Sequence, residues 1–313
     1  RRYAQRVHVF CDAGRIAFSR TNRQLNVFIE SAVHPVRAPR GGAFHPKLWA
    51  LRFADGAGGL MYRLLVSSRN LTYDRSWDTI LCLEGEVQDR VNAIAMNHPL
   101  GKLVEALPDM CLFPLDVVTR REIDHVQHEL RRTRFASPEG LELQAFHVMG
   151  FEGENKPDLS SSAAALTVIS PFVSDTFLWN TVQGTNRSYL LSRRESLDRV
   201  SDDVLDSFTE VYVMDEVVET EMQAEEGEEE RPEEHLVGLH AKCFIIENNH
   251  RALIFTGSAN ATNAAFSRNV ELLVALDGGF KTFGSRAIFG TREEPSDFMK
   301  LLRTYVRSGP PAP

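Results

Sequence analysis

No apolar run in the 313 residues approaches the roughly 20 that a membrane-spanning helix needs, and the opening Arg1-Arg2-Tyr3 does not read as a signal peptide. Cysteine is scarce. Cys11, Cys82, Cys111 and Cys243 are scattered without metal or disulfide spacing, and most sit in apolar segments as small core residues. These absences point to a soluble chain of the reducing cytoplasm, with no resident metal or cofactor. A surplus of positive charge is also lacking: the net charge is -8, which argues against a broadly basic binding surface. The acidity is local, however. Residues 219–234 hold nine glutamates against the single Arg231, so the rest of the chain is formally neutral. Such a run reads as a solvated insertion, although its end close to His240 would also let it mimic an anion or screen a pocket. A hydrophobic content of 43% over this length fills one large or two moderate cores.

What is present is a repeat. Phe44-His45-Pro46-Lys47-Leu48-Trp49 returns in altered form as Leu239-His240-Ala241-Lys242-Cys243-Phe244. The first copy continues into a buried strand, Leu64 to Val66, a turn at Ser68-Arg69-Asn70, and a second strand opened by Asp78. The second continues through Leu253 to Phe255, the turn Gly257-Ser258-Ala259-Asn260, and a strand opened by Glu271. A lone His-x-Lys is common on surface strands, and Ser-x-Asn after an apolar run is ordinary turn chemistry. Chance does not supply all five positions twice in one order, with spacing that drifts only where loops absorb it.

The alternation of an extended segment puts residues i and i+2 on one face, so each His and Lys reach into the same pocket. A neutral imidazole attacks phosphorus or shuttles a proton near pH 7. Lys and the Asn amide donate to phosphate oxygens. An acid behind the ring fixes its tautomer and stabilises the imidazolium, a role expected of Asp78 and Glu271. Arg37, Arg40 and the adjoining Gly41-Gly42 gather positive charge near the first motif, and Arg69 lies inside its turn.

These residues resemble the phospholipase D superfamily, whose signature is a doubled His-x-Lys followed by Gly-Ser-x-Asn and an acid. The second copy matches better, with Gly257 in place; the first has Ser67 there. Where the phospholipases carry Asp five residues after the Lys, this chain has Arg52 and Glu247, which looks more like the nuclease-type and tyrosyl-DNA-phosphodiesterase branches. The resemblance implies metal-independent phosphodiester cleavage through a covalent phosphohistidine. The catalytic set would be His45, Lys47, Asn70 and Asp78 with His240, Lys242, Asn260 and Glu271. Ser68, Arg69 and Ser258 would contact the substrate, His45 would be the nucleophile, and His240 the acid. A nucleic-acid phosphodiester is the first choice of substrate. A phospholipid hydrolase or transferase, or a non-catalytic domain binding nucleic acid or protein, are the alternatives.

Alternating strand and helix segments predict an α/β fold of two pseudo-twofold lobes, each a mixed, mostly parallel sheet flanked by helices, forming one active site within a pseudo-dimeric monomer. The first lobe would be residues 1–135 and the second 136–313, with the acidic insertion at 219–234. A helical joint is expected between Asn92 and Arg134, with His125 and His128 facing solvent, and a further helix near Gln24 to Ser31. The second half offers a strand at Leu166 to Ser170 for which the first half has no partner, so its counterpart is extrapolated to before residue 1.

Overall fold

The structure, a computed structural model, describes residues 6–15, 30–70, 76–153, 156–159, 162–215, 238–291 and 293–307. The acidic run 219–234 and nearly all of the helix expected from Gln24 to Ser31 lie outside them.

In the first half, β1 (Val9–Asp12) pairs in parallel with β2 (Val33–Val36). An antiparallel sheet follows, ordered β3 (Leu48–Ala54), β4 (Leu60–Ser67), β6 (Ile80–Val87) and β7 (Thr133–Phe135), with the two-residue β5 (Ser76–Trp77) between β4 and β6 in the chain. β6 explains its own placement. Leu81 and Leu83 are buried while Ile80, Cys82, Glu84 and Glu86 face outward, the period-two pattern of a sheet dry on one face. The joint consists of two helices, α1 (His98–Met110) and α2 (Val117–Leu130). The break between them ends at Asp116, which caps α2 by accepting from Val118 N and Thr119 N at 2.9 and 3.0 Å. His125 and His128 are exposed on α2.

The second half is an eight-stranded sheet. In spatial order it runs β16-β11-β10-β9-β13-β14-β15-β8, with β8 (Leu141–Met149), β9 (Ala165–Ile169), β10 (Ser188–Leu191) and β11 (Glu210–Met214) before the second motif. β13 (Cys243–Asn248), β14 (Arg251–Gly257), β15 (Glu271–Gly279) and β16 (Leu302–Thr304) complete it, while the two-residue β12 (Gly238–Leu239) lies outside this sheet and pairs with β5. Helices α3 (Asp175–Val182), α4 (Arg194–Leu197) and α5 (Asp202–Leu205) bring Leu178, Leu197 and Val204 onto Leu166, Val168, Phe244 and Phe255. The opposite face holds Leu191, Tyr212 and Ile245 against Phe289. Covered on both sides, β15 reads as an almost unbroken buried run.

The architecture is mixed α/β with helix-flanked sheets, as expected, but the sheets are not mostly parallel. Only β9, β10 and β11 run in parallel within the large sheet, and every pair of the four-stranded sheet is antiparallel. Turn chemistry is one reason: Asn249 and His250, both with positive φ (49° and 65°), close β13 onto β14 as a two-residue hairpin, which permits no parallel pairing.

The halves correspond in the spatial order of most of their strands. β3-β4-β6-β7 follows the order of β13-β14-β15-β8, and the parallel pair β1-β2 matches β10-β11. Asp12 Oδ1 accepts from Phe44 N at 3.0 Å, just before His45; Arg193, just after β10, donates to Leu239 O at 2.7 Å, just before His240. Among the described residues no counterpart of β9 occurs, and none pairs with the edge of β3 that corresponds to the edge of β13 held by β9. A single core joins the halves, with Tyr62, Leu64 and Leu83 meeting Leu100, Leu130, Phe146, Leu272 and Val274.

Candidate active site

Each motif docks on the other half's acid strand. His45 N donates to Val270 O at 2.9 Å, immediately before Glu271. In the mirror arrangement His240 N donates to Trp77 O at 2.7 Å, immediately before Asp78, and β12 pairs with β5. The exchange sets the His45 ring beside a carboxylate from the opposite half and the His240 backbone beside the segment that carries Asp78. It also brings the two lysines together: Lys242 Nζ reaches across to Ser68 O at 2.8 Å, and Lys47 and Lys242 feel one another's charge.

The two rings are held differently. His45 Nδ1 lies 3.0 Å from both oxygens of Glu271. A carboxylate only accepts, so Nδ1 is the protonated nitrogen and Nε2 keeps its lone pair. The ring is 34% exposed above a fully buried carboxylate, leaving Nε2 open to a substrate. His240 Nδ1 instead meets Lys242 Nζ at 3.1 Å. An ammonium only donates, so in the neutral ring the proton sits on Nε2. Asp78, the carboxylate expected behind this ring, forms an ion pair with Arg69 Nε instead.

Electrostatics separates the sites further. Burial first, then the charges of Lys242, Arg193, Lys47 and Arg69, lower His240 to about 3. Burial brings Lys47 down to about 8, against the pull of Glu271, and holds Lys242 well below an ordinary lysine. Lys242, Arg193, Lys47 and Arg69 outnumber Asp78, which is paired to Arg69, so the surroundings of the His240 ring are net positive.

The serines correct the sequence reading. Both are fully buried. Ser68 Oγ accepts from Thr79 N at 2.9 Å, while Ser258 Oγ donates to Glu271 and accepts from Leu272 N at 3.0 Å. They therefore pin each turn to its acid strand, and neither hydroxyl is left for a substrate. Asn70 is exposed. Asn260 keeps a buried side-chain oxygen with no hydrogen-bond partner among the described residues. Arg52 forks onto Glu129 at 2.7 and 2.9 Å, where Tyr62 also donates, and Glu247 accepts from Ser285 N at 2.7 Å. Both positions that carry Asp in the phospholipases therefore brace the fold.

Two features escaped the sequence. Arg193 is 7% exposed, lies over the Phe172 ring and charges the His240 pocket from the C-terminal end of a parallel strand. Its only signal was that location, where α/β sheets gather ligands. Thr79 and Thr256 join the halves through a 2.9 Å hydroxyl contact.

No family model matches the chain, and none of the curated proteins does either. Among solved structures it is similar to yeast tyrosyl-DNA phosphodiesterase, at 11% identity and a TM-score of 0.50 over 87% of this chain and 78% of that one. A histidine-to-asparagine mutant of the same yeast protein gives 10% identity and a TM-score of 0.54 over 88% and 78%. Phosphatidylserine synthase of Haemophilus influenzae aligns at 11% identity and a TM-score of 0.48 over 96% and 74%. No helix among the described residues is long and apolar enough to cross a membrane.

Proposed function

We propose that this protein, which has the fold of the phospholipase D superfamily, is a metal-independent phosphodiesterase acting on nucleic acid, with His45 as nucleophile and His240 as general acid. The observation that carries the reading is the unlike tethering of the two rings, one Nδ1 on a buried carboxylate and the other on an ammonium.

His45 Nε2 attacks the phosphorus in line, forming an N–P bond as the P–O bond to the leaving group breaks. Attack places positive charge on the ring, and Glu271 stabilises it through Nδ1–H. The departing oxygen takes the electron pair of the broken bond and a proton from His240. A phosphodiester anion among Lys47, Lys242, Arg193 and Arg69 offsets the positive charge that adds to burial in lowering His240, so substrate binding itself helps load the acid. Lys47, Lys242, Asn70 and Asn260 hold the non-bridging oxygens of the pentacoordinate state, where fixed donors act most strongly. Water then enters opposite the N–P bond, gives a proton to His240, and releases His45 with the phosphorylated product.

Nucleic acid is favoured over lipid because the neighbour with a TM-score of 0.54 is a tyrosyl-DNA phosphodiesterase, and the site is lined by cations. The test is incubation of the protein, with His45→Ala and His240→Ala beside it, with single- and double-stranded DNA, RNA, a 3′-phosphotyrosyl oligonucleotide and phosphatidyl lipid vesicles in excess EDTA. Loss of a nucleic-acid diester that both variants prevent is the expected result. Cleavage only on adding metal, or of lipid alone, overturns the reading, and binding without any product makes the site non-catalytic.

A further inference from the structure

The half-sites are matched at five positions yet differ at the residue between Ser and Asn. In the second half it is Ala259, fully buried; in the first it is Arg69, which binds Asp78. Glu271, facing an alanine-bearing turn, is free to take His45 Nδ1. Asp78 sits at the corresponding place beside His240, one residue after the carbonyl that receives His240 N, but its charge is turned to the guanidinium.

We propose that Arg69 is a positioning residue that makes the two half-sites unequal: by holding Asp78 it denies His240 the carboxylate that Glu271 gives His45, and so directs attack to His45 and proton donation to His240. The inference rests on the phosphodiesterase reading and extends it to the choice of nucleophile. With Asp78 engaged, Lys242 occupies His240 Nδ1 and leaves the Nε2 lone pair absent from the neutral ring. Were Asp78 released, it would accept a hydrogen bond from Nδ1 and place a lone pair on Nε2, so either imidazole would carry the geometry of a nucleophile. Arg69 also adds to the positive field on His240 beside Lys242, Arg193 and Lys47, while Glu271 and Asp78 are the anions facing the lysine pair. Its removal therefore acts on tautomer and charge in the same direction.

The experiment compares the wild-type protein with Arg69→Ala, Arg69→Gln and the double variant Arg69→Ala/Asp78→Asn, each checked for folding by thermal melting. A 5′-labelled oligonucleotide with a 3′-phosphotyrosyl end is mixed with each, quenched in alkaline denaturant during turnover, and the histidine bearing the DNA is mapped by proteolysis and mass spectrometry. Imidazole ¹⁵N shifts report the His240 tautomer without turnover. Expected are adducts on His45 alone in the wild type, a tenth or more on His240 in both single variants, and His45 alone again in the double variant. In the single variants the His240 ¹⁵N shifts should move to the Nδ1–H form, and the alkaline limb of the rate profile should move up by a pH unit or more. Adducts confined to His45 in the folded single variants, with an unchanged tautomer, overturn the proposal. So does His240 labelling that persists in the double variant, because Arg69 would then act without Asp78. If the tautomer switches while no diester forms an adduct, the hold on Asp78 is upheld and the phosphodiesterase reading falls.

Discussion

After Lys242 the chain continues on the same face as Phe244 and Ile246, 0% and 5% exposed; after Lys47 the equivalent residues begin with Trp49 and include Phe53, each 44% exposed. Helices cover that face in the second half. The four-stranded sheet of the first half is dry mainly where it meets the shared core, on its Tyr62, Leu64 and Leu83 side. Burial and strand count therefore diverge between the halves while the five motif positions and their crossed docking do not. What a duplicated site must preserve is the approach of each His-x-Lys segment to the other half's acid, because that backbone pairing sets where the rings lie. What it is free to change is the partner of each ring, and one residue in each turn decides that.

The widest test of this inequality is deletion of each ring. His45→Ala should lower the rate by about 10⁴-fold or more, since no covalent intermediate can form. His240→Ala should cost about 10²- to 10⁴-fold on a 3′-phosphotyrosyl or unmodified DNA end, where the leaving oxygen needs a proton. With a p-nitrophenyl leaving group that loss should shrink to less than about tenfold, because such an oxygen departs as an anion. Equal losses from both variants on both leaving groups would restore symmetry to the site and remove the assigned roles.

The acids separate the halves next. Glu271→Gln keeps the size of the side chain but cannot stabilise the positive ring, and a loss of about 10²- to 10⁴-fold in kcat is expected, by analogy with the carboxylate of a hydrolase triad. Asp78→Asn should cost less than about tenfold, because its charge is already committed to Arg69. Steady-state kinetics of the two variants decides; a larger loss from Asp78→Asn would show that this acid serves a ring during turnover.

Stability against pH carries the same contrast. His240 is lowered to about 3 from 6.5, chiefly by burial and then by Lys242 and Arg193. Between these values the unfolded chain holds the proton and the folded one does not, so stability falls as pH drops from about 6.5 toward 3. Lys47, lowered from 10.5 to about 8 chiefly by burial, obeys the same rule higher up, and relief of its buried charge makes stability rise from about pH 8 to 10.5. Melting curves should show a shallower acid loss in His240→Gln and a smaller alkaline gain in Lys47→Met. Inorganic phosphate should raise the melting temperature of the wild type more than that of either variant.

The duplicated motif was legible because alternation puts His and Lys on one face wherever a strand forms, and because a repeated order of five polar positions survives changes in loop length. Crossed docking was not: nothing local tells Glu271 from Asp78, and which ring each acid meets is settled by backbone contacts between segments far apart in the chain. Ser68 and Ser258 were misread because a hydroxyl in a turn looks the same whether it faces a ligand or an amide. Arg69 was visible as a basic residue in the pocket, but its pairing with Asp78 is set by the folded turn and not by any local pattern. The parallel strands were overcounted because alternating strand and helix segments in the second half suggested crossovers throughout, while residues 243–257 close as a hairpin.

The smallest expected effect concerns the seam. Thr79 Oγ1 and Thr256 Oγ1 meet at 2.9 Å, and Thr256 also donates to Lys242 O at 3.2 Å, so this pair ties the acid-bearing loop of one half to the lysine strand of the other. A neutral hydrogen bond contributes about 1 kcal/mol net, and Thr79→Val and Thr256→Val should each cost about that much in denaturant unfolding. Thr256→Val loses a second contact and should be the worse of the two. A double variant less destabilised than the sum of the singles would measure the coupling between halves directly. Strict additivity would mean that the shared core, with Leu64 and Leu83 against Leu272 and Val274, aligns the two motifs without help from the seam.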